Sequence, residues 1–238
     1  MVWNEPDLCP NNTNSDCIAP VTATLYFKTI SDTILSADPT ARMIVGNVGV
    51  EYPQYPITGC GSPQIGKIGC GVYWLTQFIS AYTTTYGIDP RPAIAGYGIH
   101  AYSIGDKTGL GLSPCGDEYS NTSNTNACLL SHFTATVQAG TNWVAANDPG
   151  KELWLTEVNW EAADHPFDTW SLQTTRMQQI CSELSSDVAA GAVQRYSWFY
   201  GSYASLSEPL LITVSLYAVD QSGALSPAGQ QFISCGPR

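Results

Sequence analysis

The chain has 238 residues, enough for one (β/α)₈ barrel or two smaller domains. Only 12% are Asp, Glu, Lys or Arg, and acids outnumber bases 20 to 9 for a formal charge of -11. That balance excludes a phosphate-binding surface and a polybasic membrane patch, both of which rest on clustered Lys and Arg. With 44% hydrophobic residues the chain can build a large core, and no apolar run approaches the roughly 20 residues that span a bilayer.

Apolar runs and amphipathic stretches alternate along the chain. A short strand is expected at Val2-Trp3-Asn4 and a helix near 21–37, where Val21, Leu25, Ile30 and Ile34 recur at helical spacing. The run 43–48 reads as a buried parallel strand, and Leu75, Phe78, Ile79 and Tyr82 mark one face of a second helix. A third strand is expected from Ala93 to about Tyr102, then a helix with Phe133, Val137 and Val144 inside. The fourth strand is 153–157, followed by a helix with Met177, Ile180, Leu184 and Val188 on one stripe. A fifth strand covers 193–199, and the tail ends in a short helix or loop. This alternation predicts an α/β protein with a parallel sheet. Neither a linker nor a repeat divides it, so residues 1–238 read as one domain.

Eight cysteines stand at 9, 17, 60, 70, 115, 128, 181 and 235. The even number and low charge point to a secreted, disulfide-bonded protein. Three tight local pairs predict Cys9–Cys17, Cys60–Cys70 and Cys115–Cys128, which leaves Cys181 for Cys235. Neither CxxC nor HExxH is present, so zinc is not expected. The sequons Asn11-Asn12-Thr13 and Asn121-Thr122-Ser123 fit the secreted reading. His132 and His165 match no motif and read as surface or helix residues. Gly96-Tyr97-Gly98-Ile99-His100-Ala101 fits a dinucleotide-binding pattern, but the loop-forming Ser103-Ile104-Gly105-Asp106 follows where a helix is required. No G-x-S-x-G pentapeptide marks a serine hydrolase.

In a parallel α/β fold, chemistry belongs at the carboxyl ends of the strands. Glu5, before Pro6, and Glu157 both follow buried-looking runs there. A pair of carboxyl groups is what glycosidic bond cleavage requires. Glu51, Glu161, Asp164 and Asp168 also follow strands, but read as solvated loop acids.

Trp3-Asn4-Glu5-Pro6 resembles the acid/base signature of the retaining glycoside hydrolases of clan A, and Leu155-Thr156-Glu157 resembles their nucleophile strand. Gly98-Ile99-His100-Ala101-Tyr102, 153–157, Arg195-Tyr196-Ser197-Trp198-Phe199 and the tail 220–225 narrow the resemblance. They are similar to the alkali-sensitive-linkage type of glycosyl hydrolase catalytic core, from residue 2 to about 232. The resemblance implies a (β/α)₈ TIM-barrel fold in which Glu5 is the general acid/base and Glu157 the nucleophile. By the same resemblance Asn4 holds the sugar 2-hydroxyl, Tyr102 orients Glu157 and His100 lines the rim. Trp198 is then the floor on which a sugar ring stacks, with Trp160 and Tyr200 as further platforms. The implied substrate is a polysaccharide, β-1,3-glucan, and no cofactor, nucleic-acid partner or membrane partner is expected. In that family order Glu5 ends the fourth barrel strand and Glu157 the seventh. Only strands four to eight are then expected, with the first three βα units absent and open sheet edges available for self-association. A non-catalytic carbohydrate-binding protein and an edge-strand interaction module are the competing readings.

Overall fold

The computed structural model describes residues 6–7, 18–49, 70–103, 112–113, 115, 123–159, 170–199 and 224–235. In chain order the elements are α1 (Pro20–Ala37), β1 (Ile44–Gly49), α2 (Cys70–Tyr86), β2 (Gly96–Tyr102), α3 (Ser123–Asn147), β3 (Glu152–Asn159), α4 (Trp170–Ala189), β4 (Arg195–Trp198) and α5 (Pro227–Cys235). The four strands form one sheet in the order β1-β2-β3-β4, every neighbouring pair parallel. Each connection therefore advances one strand in the same direction. Right-handed crossovers then stack the intervening helices on a single face of the sheet. Consecutive helices pack in series, α1 on α2, α2 on α3 and α3 on α4. The expected strand at 2–4 lies outside the described residues, as do Cys9, Cys17 and Cys60. No helix is long and apolar enough to cross a membrane among the described residues.

The helix-covered face is the core. Tyr97, Ile99 and Ala101 of β2 and Leu153, Leu155 and Val158 of β3 are buried there. Helix α3 comes so close that a Cβ at Gly140 would meet the Ile99 side chain at 2.6 Å. Its C-terminal end is tied to β2 by Tyr97, whose ring meets Trp143 edge-on at 4.9 Å and whose hydroxyl donates to Asp148 at 2.8 Å. The predicted faces of α2, α3 and α4 hold: Phe78, Phe133 and Ile180 are fully buried.

The expected face of α1 does not. Val21, Leu25 and Ile34 are exposed, and the helix instead buries Pro20, Ala23, Thr24, Phe27 and Ser31. The reason is aromatic geometry. Phe27 meets Phe78 edge-on at 5.4 Å and Tyr82 at 5.9 Å, and those contacts set the rotation of α1 on α2. The helix ends at Asp38 because Pro39 disfavours helical backbone before it; Asp38 is extended and its carboxylate accepts from Thr40. The third strand also starts later than expected. Residues Arg91–Ala93 form a 3₁₀ turn, consistent with Pro92 lacking a ladder donor, and β2 begins at Gly96. Likewise β4 is shorter than 193–199.

Cys181–Cys235 joins α4 to α5, as predicted, across a separation of 54 residues. A loop of that length corresponds to about 4 kcal/mol of chain entropy. Cys115–Cys128 closes the segment leading into α3, also as predicted.

Two slips of register occur side by side in the sheet. Asn47 is an extra residue in β1 between the Gly46–Gly98 and Val48–Ile99 pairs. Thr156 is an extra residue in β3 between the Ile99–Leu155 and His100–Glu157 pairs. The first needs left-handed backbone, with φ of 118° at Gly46 and 59° at Asn47. The space between them is closed: a Cβ on Gly98 would lie 2.5 Å from Asn47 Oδ1 and 3.2 Å from Thr156 Cγ2.

Gly98→Ala is therefore expected to cost about 1–3 kcal/mol, read as a lower urea midpoint at unchanged slope. A second expectation concerns Asp187, near the C-terminal end of α4. Its Oδ2 is buried with no hydrogen-bond partner, and burial, then the charge of Glu183, push its carboxyl above the ordinary 3.8. The folded state thus holds this proton more tightly than the unfolded chain, so stability falls as pH rises from 3.8 through the raised value. Asp187→Asn should raise Tm at pH 7, with the gain vanishing below the ordinary carboxyl range. An equal gain at both ends of the pH series would contradict this cause.

Candidate active site

The bulge at Thr156 decides where Glu157 points. Without it Thr156 would stand opposite His100; with it Glu157 does, and His100 in turn stands opposite Gly49 of β1. Gly49, His100 and Glu157 thus form one row across three strands, at the carboxyl end of the sheet. Tyr102 follows His100 two residues later on the same side of its strand.

The side chains converge on one oxygen. The Tyr102 hydroxyl donates a hydrogen bond to Glu157 Oε2. His100 Nδ1 lies 3.4 Å from the same oxygen. His100 is fully buried, whereas the Glu157 side chain keeps 14% of its surface exposed. A carboxylate held by a phenol and reached by solvent at the end of a strand suits nucleophilic or acid–base work. The rings of His100 and Tyr102 stand edge to face with centroids 6.2 Å apart. Phe199, just past β4, meets Tyr102 in the same manner at 6.2 Å. Asn159, opposite Tyr102, is buried and its amide donates to the Phe199 carbonyl at 3.4 Å.

Of the six residues singled out in the sequence, the structure brings Glu157, His100 and Tyr102 together. Trp198 sits at the end of β4 in register with Val158, 7% exposed, its ring 6.0 Å from Phe232 of α5. Asn4 and Glu5 lie outside the described residues, and so do Trp160, Tyr200, His165, Glu51, Glu161, Asp164 and Asp168.

The residues just after Glu5 are placed. Asp7 is fully buried, and its Oδ1 accepts from the Gly49 backbone N–H at 3.1 Å. The Pro6 carbonyl accepts from Ile18 N–H at 3.0 Å, and the Ile18 carbonyl accepts from the Trp74 indole at 2.9 Å. The 6–7 segment is thereby pinned to Gly49, in the row that holds His100 and Glu157. Asp7 and Phe199 were not legible as site residues. Their signal is a contact with a distant strand end, which no spacing along the chain encodes.

A cavity of about 340 Å³ lies elsewhere, between α1 and the amino-terminal half of the sheet. Phe27, Ile34, Arg42, Gly46, Asn47 and Trp154 line it, and Glu157, His100 and Tyr102 do not. Its lining extends to Thr156, the residue directly before Glu157.

His132 takes the helix alternative of its expectation. It is a helix residue of α3 but not a surface one, being 1% exposed. Its Nε2 lies 3.3 Å from Cys115 Sγ and 3.0 Å from the Ser113 carbonyl.

Comparison with known proteins places these features. Solved structures share the fold. A subgroup II GH128 endo-β-1,3-glucanase from Pseudomonas viridiflava aligns with a TM-score of 0.56 and 22% identity, covering 99% of this chain and 68% of that one. A subgroup I GH128 endo-β-1,3-glucanase from Amycolatopsis mediterranei, in complex with laminaritriose, gives 0.53 and 18%, covering 98% and 70%. A subgroup VII GH128 oligosaccharide-binding protein from Cryptococcus neoformans gives 0.51 and 17%, covering 98% and 65%. No curated protein matches the chain significantly. The family model described as glycosyl hydrolase catalytic core matches residues 1–232. With that match spanning nearly the whole sequence, the chain belongs to the glycosyl hydrolase catalytic core family.

Proposed function

We propose that the chain is a secreted β-1,3-glucan hydrolase that cleaves with retention through Glu5 and Glu157. The observation that carries this reading is the row Gly49–His100–Glu157, with the segment after Glu5 bonded to its first member through Asp7. It supports a second carboxyl group facing Glu157 across the carboxyl end of the sheet. Retention requires a separation of about 5–5.5 Å between the two.

In the first step the Glu157 carboxylate attacks the anomeric carbon while Glu5 gives its proton to the departing glycosidic oxygen. In the second, Glu5 takes a proton from water, whose oxygen displaces Glu157 and restores the original configuration. Tyr102 holds Oε2 of Glu157 and thereby aims the carboxylate; His100 closes the same side. Asn4 is assigned to the sugar 2-hydroxyl. Trp198, buried and in ring contact with Phe232, is assigned as the floor on which a sugar ring stacks.

The substrate class rests on the likeness to β-1,3-glucanases, two of them from separate GH128 subgroups. Secretion rests on the disulfides among the described residues. The strand order of the described residues supports reading the sheet as an arc of a (β/α)₈ barrel.

Release of reducing ends from laminarin tests the activity, and Glu157→Gln should lower kcat by about 10²–10⁴-fold with the fold retained. Equal turnover by wild type and Glu157→Gln would exclude the assigned nucleophile. A second reading is favoured by the oligosaccharide-binding protein among the structural neighbours. It expects laminarihexaose to bind without any release of reducing ends, and size-exclusion chromatography of the same sample reports whether open sheet edges pair two chains.

A further inference from the structure

Asp7 is a fully buried carboxyl group two residues after Glu5. Burying such a group is costly unless it is hydrogen-bonded, so its placement reflects specific partners. One is the Gly49 backbone N–H, which donates to Asp7 Oδ1 at 3.1 Å across a separation of 42 residues. Gly49 stands opposite His100, and His100 stands opposite Glu157. Neighbouring strands lie about 4.8 Å apart, so two such spacings separate the backbone of Gly49 from that of Glu157.

A second tie does not involve the Asp7 side chain. The Pro6 carbonyl accepts from the Ile18 N–H at 3.0 Å, and the Ile18 carbonyl accepts from the indole of the buried Trp74 at 2.9 Å. The backbone bond holds the 6–7 turn against α2, whereas the carboxyl bond sets its level at the end of β1. Covalent geometry carries that level to Glu5. Successive Cα atoms are about 3.8 Å apart, so the Cα of Glu5 is at most about 7.6 Å from that of Asp7. Between them, Pro6 fixes its own φ and disfavours helical backbone in the residue before it. A displacement of Asp7 is therefore passed on to Glu5. Retention leaves little tolerance for one, since it needs carboxyl groups about 5–5.5 Å apart.

We propose that Asp7 is a positioning residue for the acid/base step: through Gly49 it sets the separation of the Glu5 and Glu157 carboxyl groups. The inference rests on the assignment of Glu5 as the general acid/base. Asp7 acts through the backbone of the 6–7 turn and exchanges no proton with the sugar. Its loss therefore has a signature that depends on the leaving group. When the bond from the anomeric carbon to the glycosidic oxygen breaks, Glu5 gives that oxygen a proton, while the Glu157 carboxylate bonds to the carbon. A 2,4-dinitrophenolate departs as the anion and needs no proton. Misplacing Glu5 thus slows attack on a glucan and spares attack on the aryl glycoside.

The test measures kcat/KM of the full chain on laminarin and on 2,4-dinitrophenyl β-laminaribioside, for wild type, Asp7→Ala, Asp7→Asn and Glu5→Gln. Asp7→Ala should lose about 10²-fold on laminarin and little on the aryl substrate. Asp7→Asn, whose amide oxygen can accept the same N–H, should recover most of the loss. Equal losses of Asp7→Ala on both substrates, no loss on laminarin, or no recovery in Asp7→Asn would overturn the inference. So would loss of the helical circular dichroism in Asp7→Ala, which would make Asp7 a folding residue. Glu5→Gln tests the underlying assignment separately and should show the same split between substrates. A split in Glu5→Gln without one in Asp7→Ala overturns only the positioning role. Equal losses in Glu5→Gln, or a wild type that cleaves neither substrate, would overturn the acid/base assignment and the positioning role with it.

Discussion

The pairing of β2 with β3 is the constraint on which the rest of the structure depends. Parallel strands offer two faces with a strict alternation, and a one-residue slip reverses every side chain beyond it. Here the slip at Thr156 is used. Below it, Leu153 and Leu155 face the helices; beyond it Val158 still does, and Glu157 stands opposite His100 instead of opposite Ala101. The sheet keeps its apolar face continuous while delivering a carboxylate, an imidazole and a phenol to the other side.

That arrangement needs support from β1, whose own slip at Asn47 lies next to the one in β3. The left-handed backbone at Gly46 and Asn47, and the absence of a side chain at Gly98, let three strands approach at this level. Backbone strain of this kind persists where the surroundings over-determine it, commonly beneath functional sites. One row further on, Gly49 offers the N–H that captures Asp7. The two slips therefore position both ends of the proposed chemistry: Glu157 directly, and the segment after Glu5 through the buried Gly49–Asp7 hydrogen bond.

Long connections leave the carboxyl ends of these strands, and a cysteine pair closes one of them. Cys115–Cys128 shortens the path from β2 to α3 and sets His132 against sulfur. Cys181–Cys235 holds α5 on α4 behind β4, where Phe232 packs against Tyr196 and Trp198. The disulfides thus brace the last strand from behind and the second from above. Aromatic packing does the same for the first helices, through Phe27, Phe78 and Tyr82.

Much of this was legible in the chain. Element order follows from local periodicity, which is why the faces of α2, α3 and α4 could be read from Phe78, Phe133 and Ile180. The two described disulfides followed from spacing and elimination, whereas β3 runs to Asn159, two residues past the strand end expected at Glu157. Other features depend on which surfaces meet. The rotation of α1 left Val21 and Leu25 exposed because edge-on contacts to Phe27 outweighed the helical spacing of its aliphatic residues. Asp7, Phe199 and His132 gained their places from partners 42, 97 and 17 residues away, at Gly49, Tyr102 and Cys115. Composition and pattern determined the kind of protein this is, because burial and backbone geometry act locally. Register, helix rotation and the meeting of distant polar groups were decided only when the strands paired, because those depend on contacts the chain makes with itself.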